Sequence, residues 1–540
     1  MTGIQLADTS GDGLVLEAAE NTQDHDDYVL SAIVSDYTDE ETGEVIAAGN
    51  ITFNGNLFIG TGVGNEDGNS YTGKTFVRGG SLTVNKSDAF GRSSHVEVES
   101  TGKVVFASGS QGSYSQALGS LATYAAEALS GNINLTLGIY GEQNGLSSVV
   151  GANENLGGKL TLNSGHAITL TDSNGLGSME VAGVALTDPE GEFVSNASLR
   201  VTSGSGSFDN HLTGALDVDL TTATGGMNWS GSNSFTGSTT IRGVGVTLLN
   251  DGVLGTADSH TSVLDIVDGA TVNFGVTTQY AGEINASGDG AVVGTGTLML
   301  DRGGLIAGAN SDFSGIVVVL DETLEINNAE SLGTGQANLS GDAVLNIEGV
   351  SGPDGGYAVI DNVITGSGSV SVSSDSVVQL DVNNSFTNSF TGGIDIAGDL
   401  LATGNVGAHI GYGEVKIETD GKAVFAGSSG WTLKNKLTGT GELEVSAGGD
   451  EFAFGFGDTN AGDFTGSIAL SQGSLTLSGN DTVNANTVAG ADLTLGDNSI
   501  LNVTTGYTGQ DNHVNVLNAG ATSQIVFNGL NPWDSNYGGM

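Results

Sequence analysis

The stretch from Phe235 to Gly255 reads FTGSTTIRGVGVTLLNDGVLG and decides the fold. An aromatic residue, a threonine and a glycine are followed by a short alternating strand, a glycine turn and a second alternating strand. Related units begin at Tyr71, Phe313, Phe390 and Phe464, and from Phe235 onward the starts are almost evenly spaced. A nearly fixed period of this kind is typical of a repeat architecture.

Shorter spacings inside the long unit indicate the size of one coil. A second motif, in VGTGTLML, ITGSGSVSV and LTGTGELEV, places Gly296, Gly368 and Gly441 at almost the same interval. The first apolar residues of three successive strands, Leu443, Ile468 and Leu493, are evenly spaced at about a third of that interval. Each long unit is therefore interpreted as about three coils of a β-solenoid.

Composition suits a stack of short parallel strands. Leu82 and Val84 share one face of the strand SLTV, with Ser81 and Thr83 on the other. The chain has 89 glycines, which accept turn conformations with positive φ, and only 3 prolines, which would delete ladder donors. The sequence predicts an all-β protein, with one long parallel β-helix over 51–540 and an N-terminal cap or acidic lead-in segment over 1–50.

One segment departs from the strand rhythm. SYSQALGSLATYAAEAL, from Ser113 to Leu129, is rich in alanine and leucine, and Leu118, Leu121, Ala125 and Leu129 can share one helical face. This predicts a short helical excursion over 113–129, acting either as a lid over one face of the solenoid or as a binding protrusion.

The balance of charge excludes several classes of partner. Lys and Arg number 13 against 62 Asp and Glu, which gives a net charge of −49. Phosphate contacts need clustered basic residues, so a nucleic-acid partner is excluded. The N-terminal sequence MTGIQLADTSGDG lacks the features of a signal peptide, so any export leader or membrane anchor is expected outside this chain.

Motifs for catalysis or cofactor binding are missing from the sequence. The chain has no cysteine, and its 7 histidines are scattered without paired spacing. We therefore expect no catalytic residue, no cofactor and no metal site, and a protein that is not an enzyme. A polysaccharide-cleaving β-helix enzyme is the less favoured alternative, because lyase chemistry needs basic residues that are scarce here.

Two groups of basic residues are the candidate contact sites. The first lies between residues 74 and 103, and the second between residues 416 and 436. Stacking of coils could turn each group into a stripe that contacts an anionic ligand or another copy of the chain; the alternative is local neutralisation of an acidic surface. The candidate ligand or self-association contacts are Lys74, Arg78, Lys86, Arg92, Lys434 and Lys436.

The FTG units resemble the passenger repeats of bacterial autotransporter adhesins of the self-associating, AIDA-I and antigen 43 type, over about residues 50–510. The resemblance implies a right-handed, three-sided β-helix on a Gram-negative cell surface, either attached to the outer membrane through a translocator not in this chain or released. It further implies cell–cell aggregation and biofilm formation, with copies on neighbouring cells as partners. The alternative partners are host glycans or extracellular matrix proteins.

Overall fold

The protein is an all-β solenoid of stacked parallel strands in a computed structural model, which confirms the predicted fold class. The structure describes residues 3–528 except 8–12, 19–27, 31–32, 61–67, 107–113, 139–144, 188–189, 191, 203–204, 223–224, 250–252, 257–258, 261–262, 268, 275–290, 302–303, 307, 382–386, 428–429, 455–462, 480–487, 489 and 506–513. The chain divides into two compact units, Met1–Thr278 and Gln279–Met540.

The first unit contains only strands among its described residues. These are β1 Gly3–Leu6, β2 Leu14–Glu17, β3 Tyr28–Leu30, β4 Ile33–Thr38, β5 Val45–Ala47, β6 Ile51–Asn54, β7 Leu57–Ile59, β8 Lys74–Val84, β9 His95–Val98, β10 Gly102–Phe106, β11 Tyr114–Leu118, β12 Leu121–Thr123, β13 Leu129–Leu137, β14 Leu146–Val149, β15 Leu156–Leu162, β16 Ala167–Leu170, β17 Glu180–Gly183, β18 Leu186–Thr187, β19 Phe193–Ser195, β20 Ala197–Val201, β21 Gly206–Phe208, β22 Leu212–Gly214, β23 Leu216–Thr222, β24 Met227–Trp229, β25 Ser234–Phe235, β26 Thr239–Gly243, β27 Gly245–Leu248, β28 Gly255–Thr256, β29 Ser259–His260, β30 Val263–Ile266 and β31 Thr271–Phe274.

Among its described residues the second unit adds one 3-10 turn, Pro353–Gly355, and one helical turn, α1 Val406–His409, to its strands. The strands are β32 Ala291–Gly294, β33 Thr297–Leu300, β34 Gly304–Ile306, β35 Ile316–Leu320, β36 Thr323–Ile326, β37 Gln336–Ser340, β38 Val344–Ile347, β39 Ala358–Ile360, β40 Val363–Gly366, β41 Ser369–Val372, β42 Val377–Leu380, β43 Gly393–Ile396, β44 Asp399–Gly404, β45 Val415–Ile417, β46 Lys422–Gly427, β47 Trp431–Leu433, β48 Leu437–Gly439, β49 Glu442–Phe454, β50 Ser467–Gly479, β51 Asp492–Leu495, β52 Ile500–Thr505, β53 Val516–Ala519 and β54 Gln524–Asn528.

Strands of successive coils pair in parallel with side chains in register. Leu443 lies beside Ile468, and Ile468 beside Leu493, as their even spacing in the sequence predicted. These three side chains are at most 1% exposed, because each points inward and is covered by the coils on either side. The rows of inward leucine, isoleucine and valine form the core, and their burial is the main favourable term in folding.

The predicted helix over 113–129 is wrong. The described part of this segment forms strands β11 and β12, and Leu121 pairs with Val96 one coil below. Gln116 and Leu118 are buried, as are Leu121 and Thr123, which is the period of two of a strand rather than the helical period. The alanines of this segment favour a helix locally, but pairing with the adjacent coils overrides that preference.

Parallel pairing extends into the segment interpreted as a lead-in. Leu14 lies beside Ile51, and strand β3 pairs with β7 in the same parallel sense. The ladder of parallel strands in the first unit therefore includes residues on the N-terminal side of the boundary predicted at residue 51.

The aromatic residues that open the repeats fill the core. Their side chains are at most 1% exposed, in agreement with a packing role: Tyr71, Phe235, Phe313, Phe390 and Phe464. The glycine two residues after the aromatic is needed because the backbone of the preceding coil comes very close to it, and not because of a positive φ. A Cβ on Gly466 would lie 2.0 Å from the Gly441 carbonyl oxygen of the preceding coil. The second motif does use positive φ, which is 104° at Gly366 and 103° at Gly439.

Adding one methyl group at Gly466 is expected to destabilise the second unit. The Gly466→Ala variant forces a side chain against backbone that cannot move away, which costs about 1–3 kcal/mol. Urea denaturation followed by circular dichroism measures the loss. Gly407→Ala is the matched control, because its Cβ meets nothing within 4 Å; equal stability of the two variants would contradict the close-approach explanation.

Candidate interaction surface

Outward side chains of successive coils form rows along the solenoid, and neighbouring members of a row are one rung apart. In the second unit one row runs through strands β36, β38, β41, β43, β45 and β48, each strand pairing with the next. We call this row the polar column; its half-buried members are Glu325, Asn346, Ser371, Asp395, Lys416 and Thr438. The alternation that buries Leu324 and Ile326 turns Glu325 outward, and the same pattern repeats in each coil.

A comparable row of short polar side chains lies on the first unit. Thr136 pairs in register with Thr161, and after one rung at Ala182 the same row continues to Thr213 and then Ser234. The row is therefore two pairs of hydroxyl-bearing side chains, about 4.8 Å apart within each pair and separated by one alanine.

Most described basic residues form ion pairs across neighbouring coils. Lys159 lies beside Glu180, with Nζ and Oε1 2.8 Å apart. Asp219 lies between Arg200 and Arg242, at 3.3 and 3.6 Å from their Nε atoms. Other pairs join coils of the second unit: Lys416 with Asp395, Lys422 with Glu442 and Glu444, and Lys436 with Asp463. Hydrogen bonds to Glu442 and Glu444 raise the pKa of Lys422 well above its usual range. Stacking thus places acids where they neutralise bases.

The predicted contact residues of the first group are not gathered into one stripe. Lys74 is exposed at the start of β8, and Arg92 is exposed in the turn before β9. Arg78 lies 3.0 Å from Glu99 and its guanidinium lies 5.6 Å from the centre of the Phe76 ring.

Lys86 lies in a different environment from the rest of its group. Its side chain is buried, with Nζ 3.2 Å from Oδ1 of Asn69, and burial lowers its pKa. It therefore cannot contact a ligand at the surface in this structure.

The two predicted contacts of the second group, Lys434 and Lys436, differ from each other. Lys434 is exposed, while Lys436 Nζ lies 3.1 Å from Asp463. Asp463 raises the pKa of Lys436 through a hydrogen bond, so this ammonium stays charged and paired at neutral pH.

A set of buried asparagines at the corners of both units is not predicted from the sequence. Asn233 accepts a hydrogen bond from the Leu212 N–H at 2.8 Å and donates one to the Val253 carbonyl at 2.6 Å, which ties three coils together. At most 6% of each such side chain is exposed; the set comprises Asn69, Asn153, Asn210 and Asn233 in the first unit, and Asn310, Asn362, Asn388 and Asn435 in the second. The signal is an asparagine shortly before the apolar residue of corners such as FTG, YTG, LTG and ITG.

His166 is a buried titratable group beside this framework. It is 1% exposed, its Nε2 lies 2.8 Å from Ser147 Oγ, and burial lowers its pKa to about 4. The ordinary histidine pKa is about 6.5, so between about pH 4 and pH 6.5 His166 is protonated in the unfolded chain but not in the folded chain.

Stability of the first unit is therefore expected to fall as pH falls from about 6.5 to about 4, by up to about 3 kcal/mol from His166. The measurement is chemical denaturation at several pH values for the wild type and for His166→Gln. The variant should lack this part of the pH dependence, whereas identical pH profiles would show that His166 does not contribute.

Neither a metal site nor a membrane-spanning helix is found where the structure describes the chain. No three His, Asp or Glu side chains among the described residues are grouped as metal ligands. No helix in the described part is long and apolar enough to cross a membrane.

Comparisons with known proteins give one similarity. No family model matches the chain, and no solved structure matches it. The chain is 24% identical over 370 residues to the uncharacterized lipoprotein YdeK of Escherichia coli strain K12. The matched region covers 68% of this chain and 24% of that protein, so the chain corresponds to about a quarter of the relative's length.

Proposed function

We propose that this chain is the displayed part of a bacterial cell-surface adhesin, which promotes cell–cell aggregation and biofilm formation by self-association. The observation that carries the proposal is the polar column, a straight row of six outward polar side chains from Glu325 to Thr438 on successive coils. A second copy running antiparallel offers the same series of groups in reverse order, so many contacts form at once.

Each contact in such an interface is weak. An exposed ion pair or a solvated hydrogen bond contributes little by itself, but a row of linked contacts gains strength through effective concentration. Asp395 and Lys416 already pair within the column at 3.1 Å, so the column does not have the uniform negative charge of the chain as a whole. Close approach of two columns is therefore opposed less than approach of two average surfaces.

The name of the relative supports a location in the cell envelope as part of this proposal. The relative is named a lipoprotein, and lipoproteins are held at membranes by acyl chains rather than by spanning helices. On this proposal the chain is displayed at the bacterial surface, attached to the outer membrane or released from it.

The same proposal gives the chain a binding role and no catalytic role. The basic groups that lyase chemistry needs are, in the described coils, mostly paired with carboxylates, as Lys422 is with Glu442. Turnover of a polysaccharide by the purified chain would count against it.

The test is a clumping assay with bacteria displaying the chain, beside a control strain displaying nothing. We expect the wild type to clump and the Asn346→Glu, Ser371→Glu variant to disperse, because the new carboxylates of two columns repel each other. The matched control is Thr494→Glu, Asn518→Glu, which adds the same charges to the outward row of strands β51 and β53 on a different face. The proposal would be contradicted if bacteria displaying the column variant still clumped. It would also be contradicted if the control variant lost clumping to the same extent.

A second candidate function is binding of host glycans or matrix proteins. It is favoured by Lys74, Arg92 and Lys434, which are exposed and have no carboxylate partner among the described residues. Glycan-array binding by the Lys74→Ala, Arg92→Ala variant tests it, with Lys159→Ala as the control for loss of a paired lysine. Binding that is unchanged in the double variant would remove these residues from the candidate site.

A further inference from the structure

Antiparallel hairpins interrupt the first unit at one recurring corner. Strands β4 and β5 form the first hairpin, strands β18 and β19 the second, and strands β28 and β29 a third, two-residue pair. Each directly precedes a strand of one parallel series, β6, β20 and β30 respectively. In the coil of β22 and β23 the same corner is a single residue, Ala215. Insertions confined to one edge of a repeat protein are often its binding elements.

The hairpins expose apolar side chains that the coils would bury. In the first hairpin Tyr37, Val45 and Ile46 are 41%, 57% and 56% exposed. In the second hairpin Phe193 and Val194 are 62% and 42% exposed. Large apolar groups that protrude together from an otherwise polar surface are typical of a protein interaction site.

The tip of the first hairpin is strongly acidic. It carries four carboxylates close together, Asp39, Glu40, Glu41 and Glu44, and no basic side chain of the described residues forms an ion pair with them. Asp39 Oδ1 accepts hydrogen bonds from the N–H groups of Glu41 and Thr42, at 2.9 and 2.8 Å, which lowers the pKa of Asp39. By contrast, Glu99 and Glu180, on other coils of the first unit, are paired with basic residues.

The free edge of the first hairpin can accept another strand. The sheet order is β1-β4-β5, so β5 lies at the margin of a three-stranded sheet. An added strand would hydrogen-bond to β5 and bring its side chains against Val45 and Ile46. The second hairpin lies six rungs further along the face, which is about 29 Å at the ordinary strand spacing.

We propose that the hairpin β4–β5 forms a docking edge for a cationic polypeptide segment that alternates basic and apolar residues. The segment adds to β5 as a strand, its apolar side chains pack on the face of β5 that carries Ile46, and its basic side chains lie on the opposite face and pair with the carboxylates of the tip. A second copy of this chain is a poor occupant, because it would bring the same carboxylates and a net charge of −49. The docking edge is separate from the polar column and does not depend on self-association.

The test uses a ten-residue peptide of alternating lysine and valine as the probe and fluorescence anisotropy as the readout. The wild-type chain is expected to bind this peptide, and to bind the matching peptide of glutamate and valine at least about tenfold more weakly. The Val45→Ser, Ile46→Ser variant is expected to weaken binding about tenfold through lost apolar contact. Its matched control is Val359→Ser, a comparably exposed valine in the second unit, for which the change should stay below about twofold.

A second variant separates the docking edge from general attraction to an acidic protein. Replacing the carboxylates by Glu40→Gln, Glu41→Gln, Glu44→Gln should weaken binding by about tenfold or more. The control removes three exposed carboxylates elsewhere, by Glu154→Gln, Glu322→Gln, Asp342→Asn.

Three results would overturn the proposal. The first is no binding of the cationic peptide by the wild type, and the second is an equal loss of binding in the edge variants and their controls. The third is a dimer in sedimentation experiments that Ile46→Ser abolishes, since that would make a second copy the occupant. Circular dichroism and thermal unfolding that match the wild type establish that each variant is folded.

Discussion

Replacing Trp229 by alanine is expected to lower the free energy of unfolding of the first unit by about 3–5 kcal/mol. The Trp229 ring is fully buried, and its centre lies 6.0 Å from the ring of Phe208 and 6.2 Å from that of Phe235. These aromatics pack against one another in the core, so the cavity cannot be filled by movement of one side chain. Urea denaturation followed by far-ultraviolet circular dichroism measures the change.

The control for this prediction is Trp229→Phe. It keeps an aromatic ring and removes an indole N–H that is buried without a hydrogen-bond partner among the described groups, so we expect a much smaller loss. A cost below about 1 kcal/mol for Trp229→Ala would mean that the aromatic cluster does not pack the core as described.

Replacing Asn388 by leucine is expected to cost about 2–5 kcal/mol in the second unit. Asn388 is 0% exposed; its Oδ1 accepts from the Ile364 N–H at 2.8 Å and its Nδ2 donates to the His409 carbonyl at 2.7 Å. Leucine cannot make either hydrogen bond and leaves both backbone groups buried and unpaired. The measurement is the midpoint and slope of urea unfolding.

Asn518→Leu is the matched control for the asparagine prediction. Asn518 is exposed on the outward side of β53, so the same chemical change should alter stability by less than about 0.5 kcal/mol. If both leucine variants were equally stable, the hydrogen bonds of Asn388 would not tie its neighbouring coils together as described.

Most of the fold could be predicted from the period of the repeats. Even spacing of Leu443, Ile468 and Leu493 was sufficient to predict which residues stack, because one register shift would expose every inward side chain. Burial of the FTG aromatics followed from the same pattern. Each of these predictions uses residues that repeat at a fixed interval.

The features that the sequence did not reveal depend on neighbours in space. Leu118 and Leu121 fit a helical face in sequence, but pairing with adjacent coils selected a strand for each. Lys86 and Arg78 were grouped by nearness in sequence, while the fold buries one and pairs the other with Glu99. Such outcomes require knowledge of the register between coils.

The candidate surfaces were only partly predictable for the same reason. A row of polar residues on stacked coils was expected in general, but its members are defined by pairing, as between Asp395 and Lys416. The first hairpin lies in the N-terminal segment that was interpreted as an acidic lead-in or cap. It is defined by the antiparallel pairing of β4 with β5, in which Tyr37 lies opposite Ala47.

The distance between spin labels on Glu325→Cys and Thr438→Cys tests the stacked solenoid most directly. The chain contains no other cysteine, so the labels attach only at these two sites. The two positions are far apart in sequence but only five rungs apart in the polar column. At about 4.8 Å per rung the labels should give one narrow distribution near roughly 24 Å. A broad distribution, or a distance well beyond about 35 Å, would contradict the stacking on which the polar column depends.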